Sequence, residues 1–238
     1  MTVDATIAAN LQSVRSRIDA AARRAGRDPL DVQLVAVSKT FGADYVRAAW
    51  AAGQRDFGEN KVQEAVQKIG ETADMEIRWH LIGHLQSNKA KKAVAPFACI
   101  HSVDSVDLLQ KMDAAARDQG ASPEVLVQID LAGEATKFGA GAGEARRILD
   151  AALAARAVRL TGLMLIPPWN EDQEQTRPWF VRLRELRDAW RGEGVRPDAL
   201  RHLSMGMSHD FEAAIEEGAT LVRIGTAIFG KRSRNTEV

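Results

Sequence analysis

A lysine at the end of an apolar run is the first residue of this sequence that could do covalent chemistry. Residues 32–37 read VQLVAV and are followed by Ser38 and Lys39. Alternate residues of a strand share a face, so Val35, Val37 and Lys39 are expected to point the same way. A lysine held against apolar walls has a lowered pKa and becomes an amine nucleophile. A solvated lysine at a strand end is the alternative, and the rarity of buried lysine favours it on position alone.

An arginine later in the chain has a comparable position. The segment LVRIGT places Arg223 between the β-branched Val222 and Ile224, which are suited to packing against helices. Arg223 is therefore expected to point the opposite way, into the interior of the fold. A buried arginine is costly unless it is paired or hydrogen-bonded, so a structural ion pair and a ligand-binding role are equally good interpretations. Gly225 and Thr226 follow directly, where barrel enzymes often bind phosphate through loop N–H groups.

Two further segments carry small polar residues before predicted helices. The segment SMGMSHD, from Ser204 to Asp210, suits an anion, although Ser208 as a helix N-cap explains it equally well. Asn60, in the segment GEN, is a second candidate for the site, and a role as helix N-cap explains it equally well. A nucleophilic lysine, an inward arginine and a phosphate-binding loop together form the layout that a phosphorylated aldehyde cofactor needs. The lysine forms the Schiff base, the loops hold the phosphate and the arginine faces the ring.

Alternating apolar runs and helical patterns supply the elements that position these residues. The eight predicted strands cover residues 32–37, 55–58, 77–82, 97–103, 125–131, 158–166, 200–204 and 221–224. Helical patterns lie between them, and such alternation predicts a parallel sheet with right-handed crossovers. Eight units in one α/β domain, residues 1–238, predict a single (β/α)8 TIM barrel, with a doubly wound open sheet as the alternative.

The last predicted strand is followed by a segment too short and too polar for a full closing helix. An extra N-terminal helix is predicted to begin at Thr2 and to cover that gap. Its apolar residues recur at steps of 4, 3 and 4 and are Ile7, Leu11, Val14 and Ile18.

The composition limits the classes of function. The 238 residues include 32 Lys+Arg and 32 Asp+Glu, a balance that argues against a general nucleic-acid binder. The single cysteine excludes an intrachain disulfide and a thiolate zinc site, and the scattered histidines predict no metal site. No run of about 18 apolar residues is present, so we expect no membrane span and a cytoplasmic location. Lys89, Lys91 and Lys92 form a basic cluster, for which a solvated helix face is the favoured interpretation.

Seven segments spread along nearly the whole chain carry a family resemblance. They read LVAVSKT, FGENKVQEA, WHLIGHLQSNKAKKA, IHSVDS, GLMLIPP, LSMGMSHDFEAAIEEGAT and VRIGTAIFG. In this order they resemble the pyridoxal-phosphate homeostasis protein family. The resemblance implies a barrel of the alanine-racemase N-terminal-domain type that binds pyridoxal 5'-phosphate (PLP). By position, the resemblance implies that Lys39 forms the Schiff base and that Arg223 faces the pyridine nitrogen. The implied phosphate-binding residues are Ser204, Gly225 and Thr226, with Ser208 as an addition. Asn60 and Met207 are implied to lie near the cofactor, and His80 is a weaker match.

The function implied by the resemblance is that of a carrier. Family members are described as having no established enzymatic activity and as buffering, carrying or delivering PLP, with effects on amino-acid and keto-acid balance. The implied partners are PLP and the apo forms of PLP-dependent enzymes, and we expect a monomer. The segment GEATKFGAG departs from the family's shorter loop, although Lys137 and Gly139 keep its core.

A PLP-dependent amino-acid racemase of fold type III is the alternative. Racemisation needs acid–base groups on both faces of the substrate carbon. Related racemases take a tyrosine for the second face from a C-terminal β domain, which we do not expect here, and the one tyrosine, Tyr45, lies just after Lys39. Arg223 would also disfavour protonation of the ring nitrogen, because arginine does not give up its proton in a protein. The carrier function is therefore favoured.

Overall fold

Eight parallel strands close into a barrel. The computed structural model describes residues 2–133 and 138–231. Each strand pairs in parallel with the next along the chain, and β8 pairs with β1. The strands are β1 Gln33–Val37, β2 Asp56–Glu59, β3 Arg78–Leu81, β4 Cys99–Val103, β5 Glu124–Ile129, β6 Arg159–Leu165, β7 His202–Ser204 and β8 Leu221–Ile224. The predicted barrel is confirmed, and the closed sheet rules out the open-sheet alternative.

Helices surround this barrel on its outer side. They are α1 Val3–Arg24, α2 Ala43–Ala51, α3 Val62–Glu71, α4 Ala90–Ala93, α5 Val106–Gln119, α6 Ala142–Leu153, α7 Arg177–Gly192, α8 Phe211–Glu216 and α9 Thr226–Phe229. Between β3 and β4 the helical segment is short, a 3-10 turn, Ser87–Lys89, followed by a single turn of α4. In the described residues no helix is both long enough and apolar enough to cross a membrane.

The N-terminal helix fills the gap beside β8, as predicted. The Thr2 hydroxyl caps α1 by accepting a hydrogen bond from the Ala5 amide at 3.3 Å. The apolar face of α1 is buried and packs against α2, α8 and α9. The Asn10 amide donates to the Ile228 carbonyl of α9 at 2.9 Å. Because α9 has only four residues, α1 supplies the cover that a full eighth helix would give.

Side-chain alternation separates the barrel interior from the surrounding core. A small apolar cluster lies inside the barrel and consists of Val35, Cys99, Leu126, Met164 and Leu221. Val222 and Ile224 belong instead to the core between strands and helices. Arg223 shares the parity of Leu221, so it points into the barrel as predicted, and its side chain is buried.

Close contact between β6 and β7 depends on a glycine. A Cβ added at Gly162 would lie 2.1 Å from the His202 carbonyl oxygen, which is backbone and cannot move aside. We expect Gly162→Ala to lower the free energy of unfolding by about 3 kcal/mol or more, at the upper end of ordinary overpacking. Urea unfolding measures this effect.

Gly70→Ala is the matched control for that substitution. Gly70 lies within α3, and a Cβ there meets no atom within 4 Å among the described residues. This variant is expected to gain roughly 0.5–1 kcal/mol, because alanine loses less backbone entropy on folding. Equal unfolding midpoints for the two variants would contradict the predicted close contact.

Candidate functional site

A cavity of about 810 Å³ lies at the carboxyl ends of the strands. Its wall includes Val37 at the end of β1, Asn60 after β2 and Gly83 after β3. Seven of the eight predicted site residues line it, namely Lys39, Asn60, Met207, Ser208, Arg223, Gly225 and Thr226. The barrel thus brings these seven predicted residues together from the ends of β1, β2, β7 and β8, at the edge where barrels carry their functional sites.

A buried ionic network fixes the strand end that carries Lys39. The Lys68 ammonium group donates to the Ser38 carbonyl at 2.9 Å and to the Glu59 carboxylate at 2.5 Å. The Ser38 hydroxyl donates to the same carboxylate oxygen at 2.6 Å. All three residues are buried, so this network ties β1, β2 and α3 together just before Lys39. The network was not predicted from the sequence, although Lys68 on the apolar face of a helical pattern was an available signal.

The backbone turns sharply after Lys39. Thr40 has a φ of 71°, in the left-handed region that β-branched residues avoid. Such conformations persist where the surrounding structure enforces them, often beside functional sites. Here the turn ends the extended strand immediately after the half-buried Lys39.

The Arg223 side chain reaches the cavity from the interior of the barrel. Its side chain is 4% exposed, and burial lowers its pKa to about 10, against the raising effect of Asp210. The guanidinium therefore stays protonated at neutral pH. One terminal nitrogen donates to the Ser204 hydroxyl at 2.6 Å and the other to the Leu165 carbonyl at 2.9 Å. Within residues 2–133 and 138–231, no carboxylate lies within 4.0 Å of the Arg223 guanidinium.

Ser204 lies one layer below the cavity wall. Its register partner on β8 is Leu221, two residues before Arg223, and it is fully buried outside the cavity wall. Its hydroxyl lies 2.6 Å from Arg223 and 2.8 Å from Nδ1 of His101. A direct contact between Ser204 and a phosphate stays a prediction, whereas its hydrogen bond to Arg223 is observed. Because β7 ends at Ser204, the chain reaches the cavity only in the loop that follows.

That loop and the start of α9 present donors to the cavity. The Gly225 and Ala227 amides point at the Ser208 hydroxyl oxygen, at 3.3 and 3.4 Å. The buried carboxylate of Asp210 accepts from the Met207 amide at 2.6 Å and so fixes the loop. Burial raises the pKa of Asp210. Backbone amides converging on one oxygen, with a cationic arginine and a lysine in the same cavity, fit a phosphorylated aldehyde.

Two exposed aromatic residues stand at the mouth of the cavity. Phe138 is 56% exposed and stacks on His84 with ring centroids 3.8 Å apart. Trp169 is 71% exposed and lies beside His209 at 6.4 Å. These residues were not predicted from the sequence, because they lie on separate loops with no periodic pattern. Lys137, named in the sequence analysis, lies outside the described residues.

A histidine pair lies inside the barrel below Arg223. His80, Cys99 and His101 are buried and offer three potential metal-ligating atoms within 4.8 Å of one another, a cluster that sequence analysis did not predict. Nδ1 of His80 lies 2.9 Å from Nε2 of His101, which is a hydrogen-bond distance. A shared hydrogen bond therefore accounts for the close approach of the two rings.

Two buried histidines predict acid sensitivity of the fold. Burial lowers the pKa of His101 well below its usual value and that of His202 to about 4, with Arg201 adding to the second shift. In the unfolded chain a histidine has a pKa of about 6.5, so between that pH and 4 the unfolded state binds more protons. The free energy of unfolding should therefore fall as the pH falls through this window, by up to ~1.4 kcal/mol per pH unit for each histidine.

Chemical unfolding across this pH range tests the prediction, with His202→Gln as the comparison. Burial raises the pKa values of Asp104 and Asp210, so these groups change the free energy of unfolding in the opposite direction over this pH range. The histidine effect is therefore the difference in pH dependence between the unchanged protein and His202→Gln. The variant should show the shallower pH dependence. Parallel curves for the two proteins would contradict the assignment.

Comparison with known proteins identifies the class first. The chain matches the alanine racemase N-terminal domain family over residues 9–233. An alanine racemase of Streptomyces coelicolor A3(2) superposes with a TM-score of 0.72 at 23% identity, covering 96% of this chain and 59% of that one. At that identity the likeness shows the fold alone. The fold and site therefore define a barrel of the alanine-racemase N-terminal-domain class.

Closer relatives identify the family within this class. Proteins named pyridoxal phosphate homeostasis protein are 46% identical over 229 residues in Pseudomonas aeruginosa, covering 95% of this chain and 96% of the relative. In Aquifex aeolicus the identity is 42% over 222 residues, covering 93% and 96%. PipY of Synechococcus elongatus PCC7942, solved with PLP bound, has a TM-score of 0.83 at 41% identity, covering 94% of this chain and 100% of PipY. The chain belongs to the pyridoxal phosphate homeostasis protein family.

Proposed function

We propose that the protein binds PLP, a form of vitamin B6, through Lys39, and that it buffers, carries or delivers this cofactor in the cytoplasm. The observation that carries the proposal is the placement of Lys39, the buried Arg223 and the Gly225 amide around one cavity. PLP-bound PipY, with the same fold at 41% identity, supports it. Through PLP supply, the protein would affect amino-acid and keto-acid balance.

Each part of PLP has a matching group in the cavity. When bound, PLP supplies an aldehyde that combines reversibly with a primary amine, which Lys39 offers from the end of β1. Ser208, Gly225 and Thr226 offer donors for the phosphate. Arg223 would face the ring nitrogen of bound PLP and, because it keeps its proton, would disfavour protonation of the ring. That restrains the ring as an electron acceptor while leaving attachment at Lys39 reversible, as a carrier requires.

The described part of the cavity wall favours a carrier over a racemase. A racemase needs a second acid–base group opposite the lysine. Tyr45 does not line the cavity and packs its ring against Phe41, with centroids 4.9 Å apart. Two histidines line the mouth of the cavity, where Nδ1 of His84 lies 3.1 Å from Asp104 and Nε2 of His209 lies 3.1 Å from the Asn170 carbonyl, and the chiral assay below tests them as acid–base groups.

A transfer assay tests the proposal. PLP-loaded protein, identified by its visible absorption band, is mixed with an apo PLP-dependent enzyme while a trap removes free cofactor. Reactivation faster than spontaneous release supports delivery, and reactivation at the release rate supports buffering alone. Failure to take up PLP would overturn both. In a chiral assay across common amino acids, turnover of about 1 per second, within the ordinary enzyme range, would overturn the carrier function.

We further propose that the protein acts as a monomer. The barrel wall is completed within one chain, because α1 covers the position beside β8. Sedimentation of the PLP-loaded protein tests this, and a stable dimer at micromolar concentration would contradict it.

A further inference from the structure

A continuous line of hydrogen bonds runs through the barrel interior from the cavity toward its opposite end. Arg223 donates to the Ser204 hydroxyl at 2.6 Å, and that oxygen lies 2.8 Å from Nδ1 of His101. Nε2 of His101 lies 2.9 Å from Nδ1 of His80, whose Nε2 lies 3.0 Å from the Asp56 carboxylate. The line links β8, β7, β4, β3 and β2. Asp56 is the first residue of β2, at the amino end of the barrel.

With both rings neutral, the Asp56 end of the line sets the direction of every bond from there to Ser204. At the other end a guanidinium only donates, so the Ser204 oxygen accepts from Arg223 and its own proton is left for Nδ1 of His101. His101 then carries its proton on Nε2 and donates to Nδ1 of His80. His80 in turn carries its proton on Nε2 and donates to Asp56. An ionised carboxylate only accepts, so His80 donates to Asp56, and two neutral rings then carry the same direction back to Ser204.

This direction has an electrostatic consequence for Arg223. Each neutral group turns its electron-rich atom toward the guanidinium and its proton toward Asp56. Aligned hydrogen bonds polarise one another, more strongly where water is excluded. The cationic Arg223 and the anionic Asp56 are thus connected across the barrel, although no carboxylate in residues 2–133 or 138–231 pairs directly with Arg223. The other charged groups nearby are Arg78, 3.5 Å from Asp56, and Asp210, which acts on Arg223.

We propose that Asp56, His80 and His101 are positioning residues for Arg223. Asp56 is the remote counter-charge of Arg223, and His80, His101 and Ser204 connect the two. Together they hold the remaining N–H groups of Arg223 toward the cavity. The part of this inference that concerns the PLP ring rests on the proposed function, whereas the direction of the hydrogen bonds does not. If it holds, the opposite end of the barrel adjusts the electronics of the bound cofactor.

The first test uses the cofactor-free protein. Nitrogen NMR of 15N-histidine-labelled protein distinguishes the two neutral tautomers and the imidazolium. We expect His80 and His101 to be neutral with the proton on Nε2 at pH 7. A proton on Nδ1 of either ring, or an imidazolium at that pH, would overturn the proposed direction. So would Zn²⁺ bound between the two rings in place of their shared proton.

The second test uses PLP-loaded variants. Asp56→Asn keeps the shape at the end of the line but removes its charge, so the pH midpoint of the visible band should move by about one unit, the size of an ordinary local electrostatic shift. Arg78→Ala removes only the surface partner of Asp56, and His202→Gln changes a histidine outside the line. Neither control should move the midpoint, and Asp56→Glu should restore it.

The outcomes separate this inference from the proposed function. No visible band in the unchanged protein would mean that PLP is not bound through an amine, and the tautomer test would still stand. A normal band whose midpoint is the same in Asp56→Asn and in the unchanged protein would overturn the positioning role alone. If Asp56→Asn fails to fold, His101→Gln and the tautomer measurement decide the question.

Discussion

Lys39→Ala is expected to abolish covalent attachment of PLP. Lys39 lines the cavity at the end of β1, and its strand end is fixed by the buried Ser38, Glu59 and Lys68 network. Borohydride reduction of the loaded protein followed by peptide mass analysis should find the pyridoxyl group on Lys39 and nowhere else. The variant should lose the visible band completely. It should still hold PLP by the phosphate, because Ser208, Gly225 and Thr226 are unchanged.

Lys61→Ala is the matched control for this substitution. Lys61 follows β2 at the surface, where its side chain is 74% exposed and pairs with Glu64. The control should load and reduce like the unchanged protein. A pyridoxyl group on another lysine of the unchanged protein, with none on Lys39, would overturn the assignment.

Arg223→Glu is expected to change the electronic state of the bound cofactor. A carboxyl group at this position can share a proton with the ring nitrogen, whereas the guanidinium cannot. A protonated ring is a stronger electron acceptor, so the variant should show a shifted visible band and slow side reactions with amino acids that the unchanged protein lacks. Absorption spectra and product analysis with a panel of amino acids measure both effects.

Arg223→Lys separates charge from geometry. It keeps the positive charge but cannot donate to Ser204 and Leu165 with the planar geometry observed here. Side reactions should therefore stay low in this variant, although the loss of buried hydrogen bonds should cost about 1–3 kcal/mol of stability. An unchanged spectrum in Arg223→Glu, with PLP still bound, would make Arg223 a structural residue only.

The sequence predicted the features that depend on repeating patterns. Strict alternation of strands and helices indicated the barrel, and the β-branched neighbours of Arg223 indicated that it points inward. The covering role of α1 followed from its apolar spacing and the short segment after β8. Each of these predictions concerns which face of an element is buried, and residue type reports burial well.

Features that depend on depth and register were not predicted. Ser204 lies beneath Arg223 because β7 has only three residues and pairs with β8 at Leu221, which no local pattern specifies. The contact between His80 and His101 joins two strands whose relative register is set by the barrel as a whole. The aromatic residues at the mouth lie on loops, where side-chain direction follows from tertiary contacts alone.

The position of α1 constrains the order in which the newly synthesised chain can become functional. α1 is made before every barrel strand, yet it packs against α8 and α9, which are made after β7 and β8 respectively. β1 likewise waits for β8, with Gln33 opposite Leu221. Contacts this distant in sequence form late, so part of the apolar face of α1 stays uncovered until α8 and α9 emerge from the ribosome. Gly225 and Thr226 directly follow β8, so the phosphate donors that we propose are made only after β8. A nascent chain that has not yet reached β8 would therefore carry Lys39 without those donors.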